Sequence, residues 1–415
     1  MKHKIILIII INLLCLNIIA QVYKTQPTNS EIHTIQVKAN DNWLKYPVIE
    51  LNSSDYITIN FDRLGDNASD RLRYKLIHCN ADWRPSSLSD IEYLNGFNDN
   101  LIEDYALSMR TTVEYTNFQF QLPNDDVRLL QSGNYAVQVY EEDDYSNVLL
   151  TACFSVVDTQ VKINATVSSI TDIDANKEHQ QVSFDISKQS IRLNDPFSEL
   201  KIYVRQNDRL DNERKLLKPT YIQADKLIYE HNRELVFEAG NEYRRFESLS
   251  YRYNGLNIEK TTFINPFYYT FLYPDKVRSG KTYSYDEDKN GRFLIRNGES
   301  GEPDTEADYF VTTFTLPMEY PLIEPVYLNG NFSYNTFSDK YLMKYDDMEK
   351  QYKTSLLLKQ GAYNYQYLTK LGNKFSTQKV EGNNYETENE YSIMIYFRPQ
   401  GQRHDSLVGF LTVKK

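Results

Sequence analysis

The stretch Tyr56-Ile-Thr-Ile-Asn-Phe61 alternates apolar and polar residues. Successive side chains of a β-strand point to opposite faces, so Ile57, Ile59 and Phe61 fall on one face. We therefore expect a strand that buries this face and exposes the other face to water. Similar runs return at intervals of about ten residues with turn residues between them. They predict further strands over residues 32–37, 73–79, 112–121, 135–140 and 148–157.

This succession of short strands predicts an all-β protein made of β-sandwich domains. One boundary is expected near 158–160, where a run of strands ends and Val161-Lys-Ile-Asn-Ala-Thr-Val167 begins another. Pro317, Pro321 and Pro325 mark a second boundary, because proline lacks the amide donor that a central strand needs. We expect three consecutive immunoglobulin-like units: an N-terminal sandwich over 21–158, a middle sandwich over 159–318, and a C-terminal early-set immunoglobulin-like unit over 319–415.

Composition supports a folded, water-soluble chain. Hydrophobic residues make up 41% and charged residues 25% of the 415 residues, as in ordinary globular domains. The 34 tyrosines and 20 phenylalanines suit half-buried sheet surfaces. The net charge of −11 argues against nucleic acid or an anionic membrane surface as the main partner, because like charges repel.

The first twenty residues form a secretory signal peptide. Lys2 and Lys4 give a basic start, residues 5–19 are nearly all aliphatic, and Ala20 precedes Gln21 at a plausible cleavage point. The apolar run is too short for a confident membrane span. We therefore predict residues 1–20 to be removed on export, and the mature chain to have no direct membrane span.

Two cysteines remain after cleavage, Cys79 and Cys153, and both lie in strand-like runs. A disulfide is permitted outside the cytosol. Buried thiols that act as small hydrophobic side chains fit the sequence equally well. Both alternatives stay open at this point.

The densest polar segment of the sequence follows the strand that ends at Cys79. His78 and Cys79 are adjacent, so on a strand they point to opposite faces and cannot share a metal or act as a catalytic pair. We expect Asn80 and Asp82 to cap turns and Trp83 to anchor the loop. The excursion from Trp83 to Tyr105 is long, and long loops on a rigid scaffold commonly bind partners. The candidate interface residues are His78, Cys79, Asn80, Asp82, Trp83, Asp90, Tyr93, Gly96, Phe97, Asp99, Asn100, Asp104 and Tyr105.

Motifs of enzymes are missing from the sequence. It contains no glycine-rich phosphate loop, zinc-helix motif or Gly-x-Ser-x-Gly elbow. We therefore predict a protein that is not an enzyme and has no cofactor, no metal, no catalytic residue and no small-molecule substrate.

Several pieces of the chain resemble one family. The most specific piece is His78-Cys-Asn-Ala-Asp-Trp83, within a segment that runs from Tyr74 to Tyr105. This chain resembles the plug proteins of the type IX secretion system of Bacteroidota. The matching pieces occur in the same order as in that family and cover nearly the whole mature chain. The supporting pieces are Asn241-Glu-Tyr-Arg-Arg-Phe246, Asp288-Lys-Asn-Gly-Arg-Phe293, Asp308-Tyr-Phe310 and Val326-Tyr-Leu-Asn-Gly-Asn-Phe332.

The resemblance implies a function and a location. It implies a periplasmic protein, peripherally associated with the outer membrane, whose partner is the type IX translocon barrel. Such a protein closes the periplasmic mouth of the channel while no substrate is exported. Three alternatives remain: an exported cell-envelope glycan-binding module, suggested by the last unit; an outer-membrane β-barrel, suggested by the many strands and tyrosines; and a secreted cargo. For the glycan alternative, Phe337 lies where a sugar-stacking tryptophan would be expected.

Overall fold

The computed structural model describes residues 21–65, 71–188, 190–215 and 217–415. The predicted signal peptide, residues 1–20, lies outside the described residues. The all-β prediction is confirmed, because strands make up 48% of the structure and helix 5%, in several separate sheets. The sheets form three sandwiches, which we number in chain order.

The first sandwich is built from two main sheets and a small ribbon. Its strands are β1 Gln26–Pro27, β2 Ile32–Ala39, β3 Val48–Glu50, β4 Ile57–Leu64, β5 Leu72–Cys79, β6 Leu94–Gly96, β7 Asn100–Leu101, β8 Asp104–Leu107, β9 Tyr115–Leu122, β10 Val127–Leu129, β11 Gly133–Glu141 and β12 Asp144–Val157, with the short helix α1 Asp90–Tyr93 before β6. One sheet has the order β1-β12-β11-β5-β7, with β3 also on β12. The other has the order β2-β4-β9-β8, and β6 pairs with β10.

The core of the first sandwich confirms that the apolar face of the strand is buried, but its polar face is not exposed as predicted. Ile57, Ile59 and Phe61 are fully buried in a single apolar cluster, as predicted. Asn60 and Asp62, on the polar face of the same strand, are also buried. The expectation that this face is exposed to water is wrong, because side chains of the third sandwich cover Asp62.

The chain then enters the second sandwich. Its strands up to this point are β13 Lys162–Ser168, β14 His179–Ser187, β15 Leu200–Gln206, β16 Arg214–Lys215, β17 Tyr221–Ile222, β18 Lys226–Tyr229 and β19 Val236–Glu238, with the helix α2 Pro196–Glu199 and a 3-10 turn at Arg233–Leu235. One sheet has the order β13-β14-β18-β17, with β19 also on β14.

The third sandwich follows in the sequence. Its strands are β20 Arg244–Ser248, β21 Ile258–Ile264, β22 Phe267–Leu272, β23 Phe293–Ile295, β24 Tyr309–Pro317, β25 Val326–Asn329, β26 Lys344–Asp346, β27 Gln351–Lys359, β28 Gly361–Leu371 and β29 Lys374–Ser376, with the helix α3 Pro303–Glu306 and 3-10 turns at Asn331–Ser333 and Asp339–Tyr341. One sheet has the order β21-β22-β24-β27-β26. In the other, β28 pairs with β20, β23, β25 and β29.

The last two strands, β30 Glu390–Phe397 and β31 Ser406–Lys414, return to the second sandwich. β30 pairs antiparallel with β15, which gives its second sheet the order β16-β15-β30-β31. Ile393 and Ile395 of β30 enter the same buried cluster as Val182 of β14. The third sandwich therefore lies, in sequence, between two parts of the second.

This interleaving differs from the expected end-to-end units 159–318 and 319–415. Local alternation predicts where a strand lies but carries no information on which distant strand becomes its partner. We propose domains of 21–158, of 161–239 together with 389–415, and of 240–388, because these divisions keep each sheet whole.

Candidate functional site

The predicted interface segment connects β5 and β9 of the first sandwich. Along this path the structure places α1, the ribbon strand β6 and two edge strands, β7 and β8. The segment divides into two parts with different surroundings. Residues 78–83 are packed between sandwiches, whereas residues 90–105 include the most exposed side chains of the segment.

His78 is a buried, neutral structural side chain. Its Nε2 donates to the carbonyl of Ser132 at 3.2 Å, and its Nδ1 lies 2.9 Å from Ser86 Oγ, so the hydroxyl donates to it. Burial lowers the pKa of His78 to about 4, because charging a desolvated ring is unfavourable. The rings of Tyr135 and His404 pack edge-on against it.

Cys79 and Cys153 are both free and buried. Cys153 on β12 pairs with Ala136 of β11, and Cys79 lies on β5, at the other side of β11. Burial raises the pKa of the Cys79 thiol to about 12 and also raises that of Cys153. In the structure these residues are protonated apolar side chains, the second of the two alternatives left by the sequence.

Residues 80–83 form a turn that contacts the second sandwich. Asn80 Oδ1 accepts hydrogen bonds from Arg398 Nη2 at 2.5 Å and from the backbone amide of Asp405 at 3.1 Å. The Asp82 carboxylate pairs with Arg84 at 3.0 Å and is exposed. Trp83 adopts a positive φ of 61°, and its carbonyl accepts from the Tyr23 amide at 3.0 Å. The backbone of Trp83 thus links this turn to the segment before β1.

Asp405 is the centre of this junction. Its side chain is 1% exposed and lies 2.9 Å from Lys201 Nζ and 2.8 Å from Arg398 Nε. It also accepts from the backbone amide of Ala81 at 3.0 Å. An apolar cluster of Ala81 and Val157 with Tyr203, Met394, Tyr396 and Leu407 continues the contact. The most specific string of the sequence is therefore a joint between two sandwiches.

The second part of the segment is mostly at the surface. The N-cap Ser89 and Glu92 form a capping box that starts α1. The Tyr93 hydroxyl lies 2.7 Å from Asp90 Oδ1 and 3.0 Å from the carbonyl oxygen of Leu76, so it packs α1 against β5. Ile91, between them, is left 84% exposed.

The ribbon β6–β10 carries the next exposed residue. Gly96 has φ 125°, and a Cβ at this position would lie 1.9 Å from the carbonyl oxygen of Asp126, so the close approach of β10 requires glycine. Phe97 follows it and is 85% exposed.

Asp99 and Asn100 return the chain to the first sandwich. Asp99 pairs with Arg73 at 2.7 Å and accepts from the Tyr140 hydroxyl at 2.7 Å. Arg73 also lowers the pKa of Asp99, against the effect of burial. Asn100 Nδ2 donates to the Phe97 carbonyl at 2.8 Å. These contacts hold the loop in one conformation.

Strand β8 completes the surface part of the segment. It pairs with β9 on one side only, because it is the last strand of its sheet. Its residues Asp104–Leu107 are all exposed, and the ring of Tyr105 lies 5.8 Å from that of Phe118. An edge strand presents free backbone donors and acceptors to a partner. We name the exposed residues Ile91, Phe97, Tyr105 and Leu107 the apolar rim.

Two features of the structure could not be predicted from the sequence. Asp405 and Arg398 lie more than three hundred residues from the turn that they hold, so no local pattern could have paired them. The expected sugar-stacking position, Phe337, is stacked on Phe375 with ring centroids 3.6 Å apart, and this face of the ring is therefore covered.

The described residues contain neither a metal-type cluster nor a membrane-spanning helix. No group of three or more His, Cys, Asp or Glu side chains there could hold a metal ion. In the same ranges, no helix has both the length and the apolar character needed to cross a membrane.

Comparisons with known proteins point in one direction. Residues 32–158 match the sequence model of the family described as "Type 9 secretion system plug protein 1st domain". A hypothetical protein from Parabacteroides merdae ATCC 43184, with a crystal structure at 2.30 Å resolution, is 46% identical. Its TM-score with this chain is 0.93, over 95% of this chain and 100% of that one. No curated protein matches the chain.

Proposed function

We infer a function from one premise: the chain belongs to the family of type IX secretion system plug proteins. This membership implies a location in the cell envelope and an association with a secretion-system complex. The family is a secretion-system family and not an enzyme family. The finer statement, that this chain closes a channel, is our proposal.

We propose that the protein is periplasmic and closes the periplasmic mouth of the type IX translocon barrel in the outer membrane when no substrate is being exported. The observation that carries this proposal, together with the family, is the way the sandwiches are joined. A plug must hold its shape against a wide pore without any membrane-spanning segment of its own. Rigid joints between the sandwiches meet this requirement.

Each pair of sandwiches is joined by polar contacts that are buried or partly buried. Asp405 of the second sandwich holds the Asn80–Trp83 turn of the first. Asp308 of the third accepts from the amide of Thr112 in the first at 2.8 Å. Arg292 of the third pairs with Glu390 of the second at 2.6 Å. Buried contacts of this kind have a fixed geometry and leave no free hinge.

The contact with the barrel must also be reversible, because the channel opens for cargo. Reversible interfaces combine apolar side chains with polar neighbours and are smaller than permanent ones. The apolar rim, with Asp90 and Asp104 beside it, has this mixed character. We therefore propose the surface part of the segment, residues 90–107, as the contact with the barrel, and assign residues 78–83 to the joint.

Affinity purification from envelopes solubilised in a mild detergent tests the proposal. The tagged protein should bring with it a very large outer-membrane barrel protein. Recovery of the tagged protein alone, under conditions in which the barrel stays folded in the detergent extract, would contradict the proposal. Release of the mature protein into the medium would favour the secreted-cargo alternative.

A further inference from the structure

A cavity of about 190 Å³ lies where the three sandwiches meet. Its lining comes from all three: Trp43 and Trp83 of the first, Arg205 of the second, and Arg292 and Tyr334 of the third. Cavities at the junction of domains are common places for ligands, because they combine side chains from several elements. This cavity is separate from the apolar rim and plays no part in the proposed closure of the channel.

One side of the cavity is aromatic. The chain has two tryptophans, and both line this cavity together with Tyr23 and Tyr46. Trp43 and Trp83 are half-buried, so part of each side chain remains accessible. The Tyr23 amide fixes the backbone of Trp83 through a hydrogen bond of 3.0 Å. A wall of this type favours the planar or aliphatic body of a small molecule.

The other side carries several cations and one carboxylate, Asp208, which pairs with Arg205 at 3.6 Å. Lys24, Lys38 and Lys45 line the cavity, and in the described part of the chain no carboxylate oxygen lies within 4.0 Å of their amines. By contrast, Arg205 pairs with Glu213 at 2.6 Å and Arg292 pairs with Glu390 at 2.6 Å.

Lys24 differs from Arg205 and Arg292 in that it has no carboxylate partner among the described residues. Its amine has one polar contact, with Thr336 Oγ1 at 3.4 Å, and burial lowers its pKa. A partly desolvated amine without a counter-charge gains most from an anion that enters the cavity, because the attraction is screened less than at the surface.

We propose that this cavity binds an amphipathic organic anion, with its apolar body against Trp43 and Trp83 and its carboxylate at Lys24 and Lys38. Two sources supply the same chemistry: a free small carboxylate, and the C-terminal residue of a polypeptide with an apolar side chain. The aromatic wall, the unpaired amines and the volume are the observations that select this class.

Tryptophan fluorescence of the purified protein tests this proposal directly, because both emitters line the cavity. The probes are N-acetyl-L-phenylalanine and its amide, which differ in the charged carboxylate and not in the apolar body. The acid should change the emission in a saturable way, and the amide should bind at least about tenfold more weakly. Equal binding of both probes, or no saturable change with the acid, would overturn the proposal.

Matched charge variants give the second readout. Lys24→Gln/Lys38→Gln should weaken binding of the acid by about tenfold or more, whereas Lys281→Gln/Lys344→Gln, which removes the same charge from exposed positions, should leave it unchanged. Circular dichroism melting checks that both variants fold. An unchanged affinity in a folded Lys24→Gln/Lys38→Gln protein would contradict the assignment.

Binding of a peptide, measured in the same way, distinguishes the two sources of the ligand. A tetraglycyl-phenylalanine peptide with a free carboxylate should bind as well as the small acid if the natural ligand is a polypeptide terminus. Binding of the small acid without binding of the peptide identifies a free small molecule. Either result supports the amphipathic anion, and failure of both ligands rejects it.

Discussion

Lys359 Nζ lies 2.7 Å from Asp62 Oδ2, and the two side chains are 1% and 0% exposed. The pair joins β27 of the third sandwich to β4 of the first. Asp62 also accepts from the Tyr309 hydroxyl at 2.5 Å and from Asn117 Nδ2 at 2.7 Å. The position of this carboxylate explains why a face that reads as polar in the sequence is buried in the structure.

Removing one member of this pair should destabilise the protein strongly. Lys359→Met leaves Asp62 buried without its cation, and we expect the free energy of unfolding to fall by about 3–5 kcal/mol. Denaturant unfolding followed by circular dichroism measures the change. Lys344→Met, at an exposed position, is the control and should have little effect. Adding Asp62→Leu to Lys359→Met should recover part of the loss, and a further loss instead would contradict the account of the joint.

His78 should make stability depend on pH. Its pKa is about 4 in the folded protein against an ordinary value of 6.5, so between these values the unfolded chain binds more protons than the folded one. The free energy of unfolding therefore falls as the pH falls from 6.5 to 4, by about 3 kcal/mol from this residue. His78→Gln should show a correspondingly smaller fall over the same range. Parallel pH profiles for the two proteins would refute this assignment.

The two buried thiols should react only after unfolding. A thiol-specific reagent added to the native protein should leave Cys79 and Cys153 unmodified, because both are buried and protonated. In denaturant without reductant, both should react. Failure of both to react in denaturant would show that they form a disulfide in the exported protein.

The apolar rim should matter for association and not for stability. Ile91→Asp/Phe97→Asp places charges on two highly exposed residues, so we expect an unchanged melting temperature and co-purification of the barrel reduced by about tenfold or more. Ile170→Asp/Ile173→Asp makes the same change at exposed positions of the second sandwich and should leave co-purification intact. Equal recovery of the barrel with both variants would move the contact surface elsewhere.

The sequence predicted local structure well because a strand's alternation is a local property. Ile57, Ile59 and Phe61 are buried as their spacing required. Which strands pair, and which charged groups meet, depends on contacts between distant parts of the chain. Such contacts leave no local pattern in the sequence. The pairing of β30 with β15, and the burial of Asp62 by Lys359, were missed for this reason.

The candidate site shows the same limit. The string from His78 to Trp83 is specific in sequence, and in the structure it contacts residues near position 400. Asp405 binds the backbone of this string, so the string forms part of the joint between the first and second sandwiches. The exposed residues Ile91 and Phe97 could be found only with the structure, because an isolated apolar residue in a loop reads the same in the sequence whether buried or exposed.

Closure of the translocon is the central claim, and the conductance of the purified barrel in a planar bilayer measures it directly. Adding the protein to the periplasmic side should block the current, and adding it to the other side should not. The Ile91→Asp/Phe97→Asp variant should block it much less than the Ile170→Asp/Ile173→Asp control. A current that stays the same with saturating protein on the periplasmic side would contradict the account.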